Sequence, residues 1–297
     1  MAVADADLSA APARPRVDWT PYLLVVPVVL FLAVFFLYPM AQAIWLAVDD
    51  PAGGLTPAHL RRMAADLYFR PALRFTLVIT ALAVPLQVAL GLAIALLVHA
   101  RFRGHGAFLY LTALPLGISD LAAGLIWLSI FTERGYLNAL LQTLGVIAHP
   151  VVFLTLERPG WLLAAIVAAE VWRATAIVMV ILLAGLQLIP RDYAETAAVF
   201  GAGPWQTLRH VILPLLRPSL QTALIIRTIL AFQLFATVVA LAGRQVPVLA
   251  GEAYFWYALY RSPQVASAYA VLILLLSGAV TWVYLRGLAP RAGEGRA

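Results

Sequence analysis

The feature that most constrains this chain is a series of six long apolar stretches separated by short polar connections. They cover about residues 21–48, 73–100, 108–131, 161–188, 219–242 and 266–285. A transmembrane helix needs roughly 20 consecutive apolar residues, and each stretch reaches that length. Only 11% of the residues are charged, whereas a soluble domain carries about 25%. A water-soluble fold is therefore excluded, and the sequence predicts an all-α polytopic membrane protein with six transmembrane helices.

The predicted organisation is one membrane domain, 21–288, between an N-terminal tail at 1–20 and a C-terminal tail at 289–297. Six spans put both tails on the same side of the membrane. Cytoplasmic loops are enriched in Arg and Lys, and the arginines of the loops and tails divide ten to eight in favour of the side that carries both tails. We therefore expect both termini in the cytoplasm. Scattered arginines favour membrane lipid as their anionic partner, and no nucleic acid is expected.

The connection between the fourth and fifth stretches, 190–217, is not typical of a plain loop. Asp192 can cap a new helix, and Glu195 follows three residues later, at the spacing of a capping box. Alanine-rich sequence favours helix as far as the glycine- and proline-rich stretch 201–204. A second short helix is expected from Trp205 and should stop at Pro214. These signals predict a helix–turn–helix on the cytoplasmic face that needs a partner.

This segment resembles the cytoplasmic signature loop of permease subunits of binding-protein-dependent ABC importers. That loop reads Glu-Ala-Ala, three residues, Gly, nine residues, Ile, one residue, Leu-Pro. The matching residues here are Glu195, Ala197, Gly201, Leu213 and Pro214. Thr196 replaces an alanine, Val211 replaces the isoleucine, and Phe200 stands where many sugar permeases carry Asp. Tyr38-Pro39 in the first stretch is similar to the maltose-type carbohydrate permease family.

The resemblance implies the type I ABC importer permease fold, with a coupling helix that docks on a cytoplasmic ATP-binding subunit. The coupling residues it implies are Glu195, Thr196, Ala197, Gly201, Leu213 and Pro214. The partners it implies are a second permease subunit, two ATP-binding subunits and an extracytoplasmic substrate-binding protein.

The chain is expected to be non-catalytic. A Walker A loop requires a Lys on the phosphates, and all 20 cationic residues of this sequence are Arg. ATP and Mg are therefore expected on the partner ATPase subunits, with no cofactor bound by this chain. There is no Cys, and the histidines lack ligand spacing, so no metal site is predicted.

Four ionisable residues fall within the apolar stretches: Asp120, Glu170, Arg173 and Arg227. Each costs about 2.5–3.5 kcal/mol on insertion scales and faces the bundle interior as a rule. Glu170 and Arg173 are three residues apart, share one helix face and can pair. Two interpretations remain open, namely a buried ion pair that locks helices together and a polar lining of the translocation path.

The resemblance places the substrate site about midway along the spans that flank the signature loop. By position this implicates Glu170, Arg173, Ala174, Ile177, Arg227, Ala231, Phe232, Gln233 and Leu234. Trp127, Trp172 and Tyr269 could add aromatic faces for a sugar ring.

The leading hypothesis is a permease subunit in the inner membrane that forms half of the pathway for a sugar or sugar-like solute. The excess of Arg leaves open an anionic or polyol solute, such as a sugar phosphate or glycerol phosphate. A polytopic membrane enzyme is a remote alternative, because the sequence shows neither His-Glu-x-x-His nor a Ser/His/Asp order.

Overall fold

The computed structural model of the chain describes residues 20–50 and 53–288. In these residues helices alternate with short connections, and the strand-like pairing is confined to one bridge between Asp49 and Leu55. The predicted N-terminal tail, apart from the helix start at Thr20, and the C-terminal tail lie outside the described residues. The predicted all-α membrane fold is confirmed.

The helices follow one another in this order: α1 (Thr20–Leu32), α2 (Tyr38–Leu46), α3 (Ala58–Ala64), α4 (Phe69–His99), α5 (His105–Ala113), α6 (Asp120–Phe131), α7 (Tyr136–Thr143), α8 (Pro159–Gln187), α9 (Arg191–Val199), α10 (Pro204–Thr207), α11 (Leu213–Phe232), α12 (Ala236–Ala242), α13 (Leu249–Ala258) and α14 (Pro263–Gly287). A π-helical turn, Ala33–Leu37, joins α1 to α2. Leu114–Gly117 forms a 3-10 turn after α5, and Leu208–Ile212 forms a second π turn between α10 and α11.

Within the described residues, five helical runs are long and apolar enough to cross a membrane. They are Pro21–Leu46, Phe69–His99, Pro159–Gln187, Pro204–Phe232 and Pro263–Gly287. The bent pair His105–Gly117 and Asp120–Thr143 brings the number to six if it counts as one span. The six predicted apolar stretches therefore correspond to five helical runs and one segment that is broken by a bend.

The prediction of a continuous third span over 108–131 is wrong. The two helical parts are bent by 106°, with Pro115 in the intervening 3-10 turn. Proline lacks the N–H that would bond to the preceding turn, and its ring crowds that turn. Ser119 then caps the new helix, because its Oγ accepts from the Ala122 N–H at 3.2 Å. Asp120 consequently lies at the bend, as the first residue of the second helical part, and not in the middle of a continuous span.

The predicted limits of the fifth span are also wrong at both ends. Pro214 does not stop the preceding helix, because the run is helical from Pro204 to Phe232. The wider π turn Leu208–Ile212 directly precedes Pro214 and accommodates the missing N–H. At the other end α11 stops at Phe232, and three residues separate it from α12.

Helices α4 and α8 form the central pair of the bundle. Gly91 of α4 lies so close to α8 that an added Cβ would be 2.8 Å from Val178 Cγ1. The glycine therefore lets the two backbones approach. Most of α8 is buried, whereas none of the most apolar window of the first span is buried within this chain. The first span accordingly lies at the periphery, where α2 contacts α14.

Candidate functional site: an exposed helix and a buried charge network

The 190–217 segment projects α9 from the end of the bundle that carries the C-terminus of α8. Pro190 is extended, with ψ at 141°, and ends the preceding turn, so α9 begins at the next residue. Asp192 is thus the second residue of the helix. Its predicted capping role is wrong, because the cap position belongs to Pro190 and no side chain caps it. A carboxylate in the first turn still interacts favourably with the helix dipole.

Gly201 makes the turn that follows α9. Its φ of 79° lies in the left-handed region, where glycine avoids the steric cost of a Cβ. The Gly201 N–H donates to Ala198 O at 2.9 Å, and the Ala202 N–H donates to Ala197 O at 3.0 Å. This pair of bonds is a Schellman motif, which satisfies the last carbonyls of the helix. The backbone conformation of this turn therefore explains why the signature pattern has a glycine at position 201.

The helix presents two different faces. Thr196 and Ala197 line a cleft of about 560 Å³ between α9 and the helical run that begins at Pro204. Glu195 lies outside that cleft and is exposed, as is Val199 one turn later. Val199 and Phe200 are each 85% exposed, so two adjacent large apolar side chains lie uncovered at the end of this helix.

The remaining coupling candidates lie on the bundle side of the segment. Leu213 and Pro214 are half-buried at the start of α11. They therefore belong to the junction of the exposed segment with the membrane helix, while Glu195 and Thr196 belong to the exposed part.

The four intramembrane charges predicted from the sequence come together in one network. Arg227 of α11 donates from Nη2 to Glu170 Oε1 of α8 at 2.7 Å. Arg173 donates from Nη2 to the same oxygen at 2.8 Å, and Arg173 Nη1 lies 2.8 Å from Asp120 Oδ1. The two guanidinium groups and two carboxylates sum to zero net charge.

The network has an inner and an outer half. Glu170 and Arg227 are each 1% exposed at their side chains. Arg173 is 17% exposed and Asp120 is 50% exposed. The inner pair ties α8 to α11, which agrees with the helix-locking interpretation, whereas the outer pair can be reached from outside the chain.

Gln87 of α4 completes the inner half, and the sequence did not single it out. Arg227 Nε donates to Gln87 Oε1 at 2.7 Å, and Gln87 Nε2 donates to the backbone oxygen of Glu170 at 3.1 Å. This residue carries no charge, and the available signal was its position as a polar side chain inside an apolar stretch. It fills hydrogen-bonding capacity that the ion pairs leave open, as buried polar groups require.

The other predicted path residues do not gather around this network. Ala174, Ala231, Phe232 and Leu234 are buried within the chain, and Ile177 is half-buried. Gln233 is exposed, but it lines a separate groove between α11 and α14. In this conformation only Arg173 and Gln233 among the predicted path residues combine a polar side chain with access from outside.

The prediction that Tyr269 offers an aromatic face to the substrate is wrong. It is buried, and its hydroxyl donates to Asp66 Oδ2 at 3.0 Å, the same oxygen that accepts from Trp256 Nε1. Trp127 and Trp172 do contact each other, with ring centroids 6.0 Å apart, and Trp172 is exposed on the same helix as Arg173.

A second ion pair lies near the start of α4, at the opposite end of the bundle from α9. Arg244 Nη2 donates to Glu252 Oε2 at 2.8 Å, and the guanidinium stacks 4.2 Å from the centroid of the Tyr68 ring. Burial raises the pKa of Glu252 above its usual range, although the hydrogen bonds from Arg244 oppose that shift. The pair holds α13 against the bend that follows α12.

Comparison with known proteins identifies the family of this chain. Residues 71–293 match the family model described as "Binding-protein-dependent transport system inner membrane component". The chain belongs to this family. It is the transmembrane permease component of a binding-protein-dependent ABC importer, as the resemblance predicted, and its relatives are permease proteins and not catalytic subunits.

Three relatives cover almost the full chain. Trehalose transport system permease protein SugA of Mycobacterium tuberculosis is 32% identical over 287 residues, which cover 92% of this chain and 90% of that protein. Trehalose/maltose transport system permease protein MalF of Thermococcus litoralis is 30% identical, covering 89% and 92%. The sn-glycerol-3-phosphate transport system permease protein UgpA of Yersinia pestis is 28% identical, covering 93% and 97%.

A solved structure shares the fold. A chain of a bacterial ABC transporter involved in the import of the acidic polysaccharide alginate superposes with a TM-score of 0.76 at 19% identity, covering 93% of this chain and 96% of that chain. This permease therefore has the type I importer architecture and is a multi-pass inner membrane protein.

Proposed function

We propose that this permease forms half of the translocation pathway of an ATP-driven importer for a neutral sugar or sugar-like solute. An extracytoplasmic binding protein delivers the solute, a second permease subunit supplies the other half of the path, and two ATP-binding subunits with ATP and Mg supply the energy. Both termini and α9 face the cytoplasm.

The observation that carries the coupling role is the outward face of α9. Glu195 is exposed, and within the described residues its carboxylate makes neither a hydrogen bond nor an ion pair. Val199, one turn later on the same face, is 85% exposed, and Phe200, equally exposed, lies at the neighbouring cleft. A surface that combines an unpaired carboxylate with apolar anchors suits a groove of a partner protein that offers a cation within an apolar wall. The coupling set is therefore Glu195 and Thr196 at the contact, with Ala197 and Gly201 shaping the helix and Leu213 and Pro214 at its junction with α11.

The balance of charge in the bundle favours a neutral solute. Arg173 and Arg227 each lie within 2.8 Å of a carboxylate oxygen. An anionic solute needs a cation that the protein has not already neutralised, and this network offers none. Sugar hydroxyls both donate and accept, so the mixed outer pair of Asp120 and Arg173 suits them, with the exposed face of Trp172 beside it.

The remaining predicted path residues support the solute contact at Asp120 and Arg173 without touching the solute themselves. Glu170 and Arg227 hold Arg173 in place, and Ala174, Ile177, Ala231, Phe232 and Leu234 pack the helices that move during transport. Gln233 lies at the break between α11 and α12, where the helices can change their relative angle.

Glu195→Ala tests the coupling role in the assembled transporter in proteoliposomes with its binding protein. Loss of one hydrogen bond to a charged partner costs about 1.5–3 kcal/mol, so uptake of labelled trehalose or maltose and the linked ATPase activity should each fall about 10- to 100-fold. The matched control is Asp192→Ala, which removes a carboxylate from the cleft side of the same helix. Equal activities for the two variants would contradict the coupling role.

The solute class is tested with the same preparation. Uptake of trehalose and maltose is compared with uptake of glycerol 3-phosphate, with the cognate binding protein present. Preferred uptake of the phosphate ester would reject the neutral class while leaving the coupling role intact.

A further inference from the structure

A polar cavity of about 520 Å³ lies at the end of the bundle that carries α9. It is formed where α4 and α8 end and where α5 and α9 begin. Its polar lining consists of His99, Arg101, His105, Gln187 and Arg191. Leucine side chains from α5 and α8 close its inner wall.

The charge of this cavity is one-sided. No carboxylate is among its lining residues. Within the described residues, the guanidinium groups of Arg101 and Arg191 form neither a hydrogen bond nor an ion pair. Two unpaired guanidinium groups in one concave site attract an anion and match phosphate oxygens in geometry.

The backbone around Arg101 gives an independent reason to assign a role to this residue. Its φ is 51°, in the left-handed region, which is uncommon for a residue other than Gly, Asn or Asp and costs about 1–2 kcal/mol. Gly104, three residues later in the same turn, also has positive φ, at 90°. The turn therefore keeps an arginine at a position that glycine would occupy with less strain.

The surroundings of the cavity are typical of a membrane interface. Phe102, Tyr110 and Leu111 are all exposed on the adjacent turn and helix, and the Phe102 ring contacts Phe108 with centroids 5.7 Å apart. Aromatic side chains concentrate at the level of lipid headgroups. The cavity thus opens beside surface that suits acyl chains, which distinguishes it from the polar surface where a soluble protein would dock.

We propose that this cavity binds the phosphate of an anionic phospholipid headgroup. Arg101 and Arg191 donate to the phosphate oxygens, and Gln187 and the two histidines supply further polar contacts. Basic pockets between transmembrane helices on the cytoplasmic side are suited to such headgroups. Since Arg191 is the first residue of α9, the bound lipid also anchors the start of that helix.

The test uses the purified assembled transporter and needs no transport measurement, so its outcome is separate from that of the proposed function. Phosphatidylglycerol is titrated into the detergent-solubilised complex, and native mass spectrometry counts the lipids that remain bound. One Arg near an anionic lipid surface contributes about fivefold in affinity. We expect Arg101→Gln and Arg191→Gln each to weaken binding about fivefold and the double variant about 25-fold.

Arg103→Gln is the matched control, because Arg103 is exposed in the same turn but does not line the cavity. It should retain wild-type affinity. Arg101→Gly adds a second criterion, since it removes the strain at positive φ: the complex should melt at the same or a higher temperature while lipid affinity falls.

Four results would overturn the proposal. The first is unchanged phosphatidylglycerol binding by the double variant, and the second is equal loss in Arg103→Gln, which would indicate unspecific surface attraction. The third is displacement of the lipid by inorganic phosphate, which would indicate a soluble anion site. The fourth is loss of the ATP-binding subunits from the double variant with lipid binding intact, which would assign the arginines to that partner.

Discussion

Replacing Glu170 by Gln removes one negative charge from the centre of the bundle and leaves the size of the side chain nearly unchanged. In the wild-type chain, Glu170 Oε1 accepts from Arg173 at 2.8 Å and from Arg227 at 2.7 Å. After the substitution, Asp120 is the one carboxylate left in the network; it is 50% exposed and pairs with Arg173, so Arg227 loses its charged partner. The network then has a net charge of +1 at a buried site.

The expected cost follows from two estimates that overlap. Leaving a buried charge without its partner costs about 3–5 kcal/mol. Placing one charge at the centre of a membrane helix costs about 2.5–3.5 kcal/mol on insertion scales. We therefore expect Glu170→Gln to lower the free energy of unfolding by about 3 kcal/mol.

Arg227→Met should cost less, although it also removes a buried charge. Glu170 keeps its bond to Arg173, and the main loss is the donor to Gln87 Oε1, for which an unsatisfied buried acceptor costs about 1–3 kcal/mol. The double variant restores a neutral network, because Asp120 and Arg173 remain. Its cost should therefore be smaller than the sum of the two single costs.

The measurement is SDS-induced unfolding of the permease in mixed micelles, followed by tryptophan fluorescence, for the wild type, both single variants and the double variant. Two outcomes would refute the reasoning. One is a cost for Glu170→Gln no larger than that for Arg227→Met. The other is additivity of the two costs, because groups in one network should couple by at least about 0.5 kcal/mol.

Three further predictions concern other contacts. Asp120→Asn should change stability by less than about 1 kcal/mol, because Asp120 is 50% exposed and solvent screens its pair with Arg173, yet it should lower sugar uptake several-fold; uptake equal to wild type would remove Asp120 from the path. Gly185→Ala should destabilise the chain by about 1–3 kcal/mol in the same micelle assay, because its Cβ would overlap Ser219 of α11. Gly201→Ala should cost about 1 kcal/mol through its positive φ, measured in the same way, and a neutral effect would argue against the Schellman turn.

Gly278→Ala is a suitable control for the packing prediction. This glycine lies inside α14, and an added Cβ would meet nothing within 4 Å. Alanine is also the better helix former by about 1 kcal/mol. The control should therefore be neutral or stabilising, which separates a steric clash from a general response of membrane helices to added volume.

Much of the architecture could be predicted from local sequence alone. The apolar stretches identify the membrane helices because an unpaired backbone group in lipid costs so much that only a helix or a closed barrel can span. The pattern from Glu195 to Pro214 identified the family, and family membership is confirmed by the match over residues 71–293. The roles of the individual coupling and path residues remain predictions.

The predicted limits of the third and fifth spans were wrong because tertiary packing, and not local sequence, decides how the backbone continues past a proline. Pro115 and Pro214 look alike as helix breakers in the sequence. The first coincides with a 106° bend, whereas the second continues a helix behind a π turn. The difference depends on whether the turn before the proline can widen and on which side chains pack against that turn. Local helix propensity carries no information about either.

By itself the sequence determined that this protein lies in a membrane, that a short helix and a glycine-rich turn separate its fourth and fifth membrane helices, and that four charges within the apolar stretches need partners. These conclusions depend on hydropathy and on chain-local spacing. Only the tertiary structure decided the pairing: that Glu170 serves both Arg173 and Arg227, that Gln87 completes the set, and that Arg101 and Arg191 face one cavity. The distance between two helices separated by tens or hundreds of residues depends on how their surfaces pack, and Gly91 and Gly185 permit that packing.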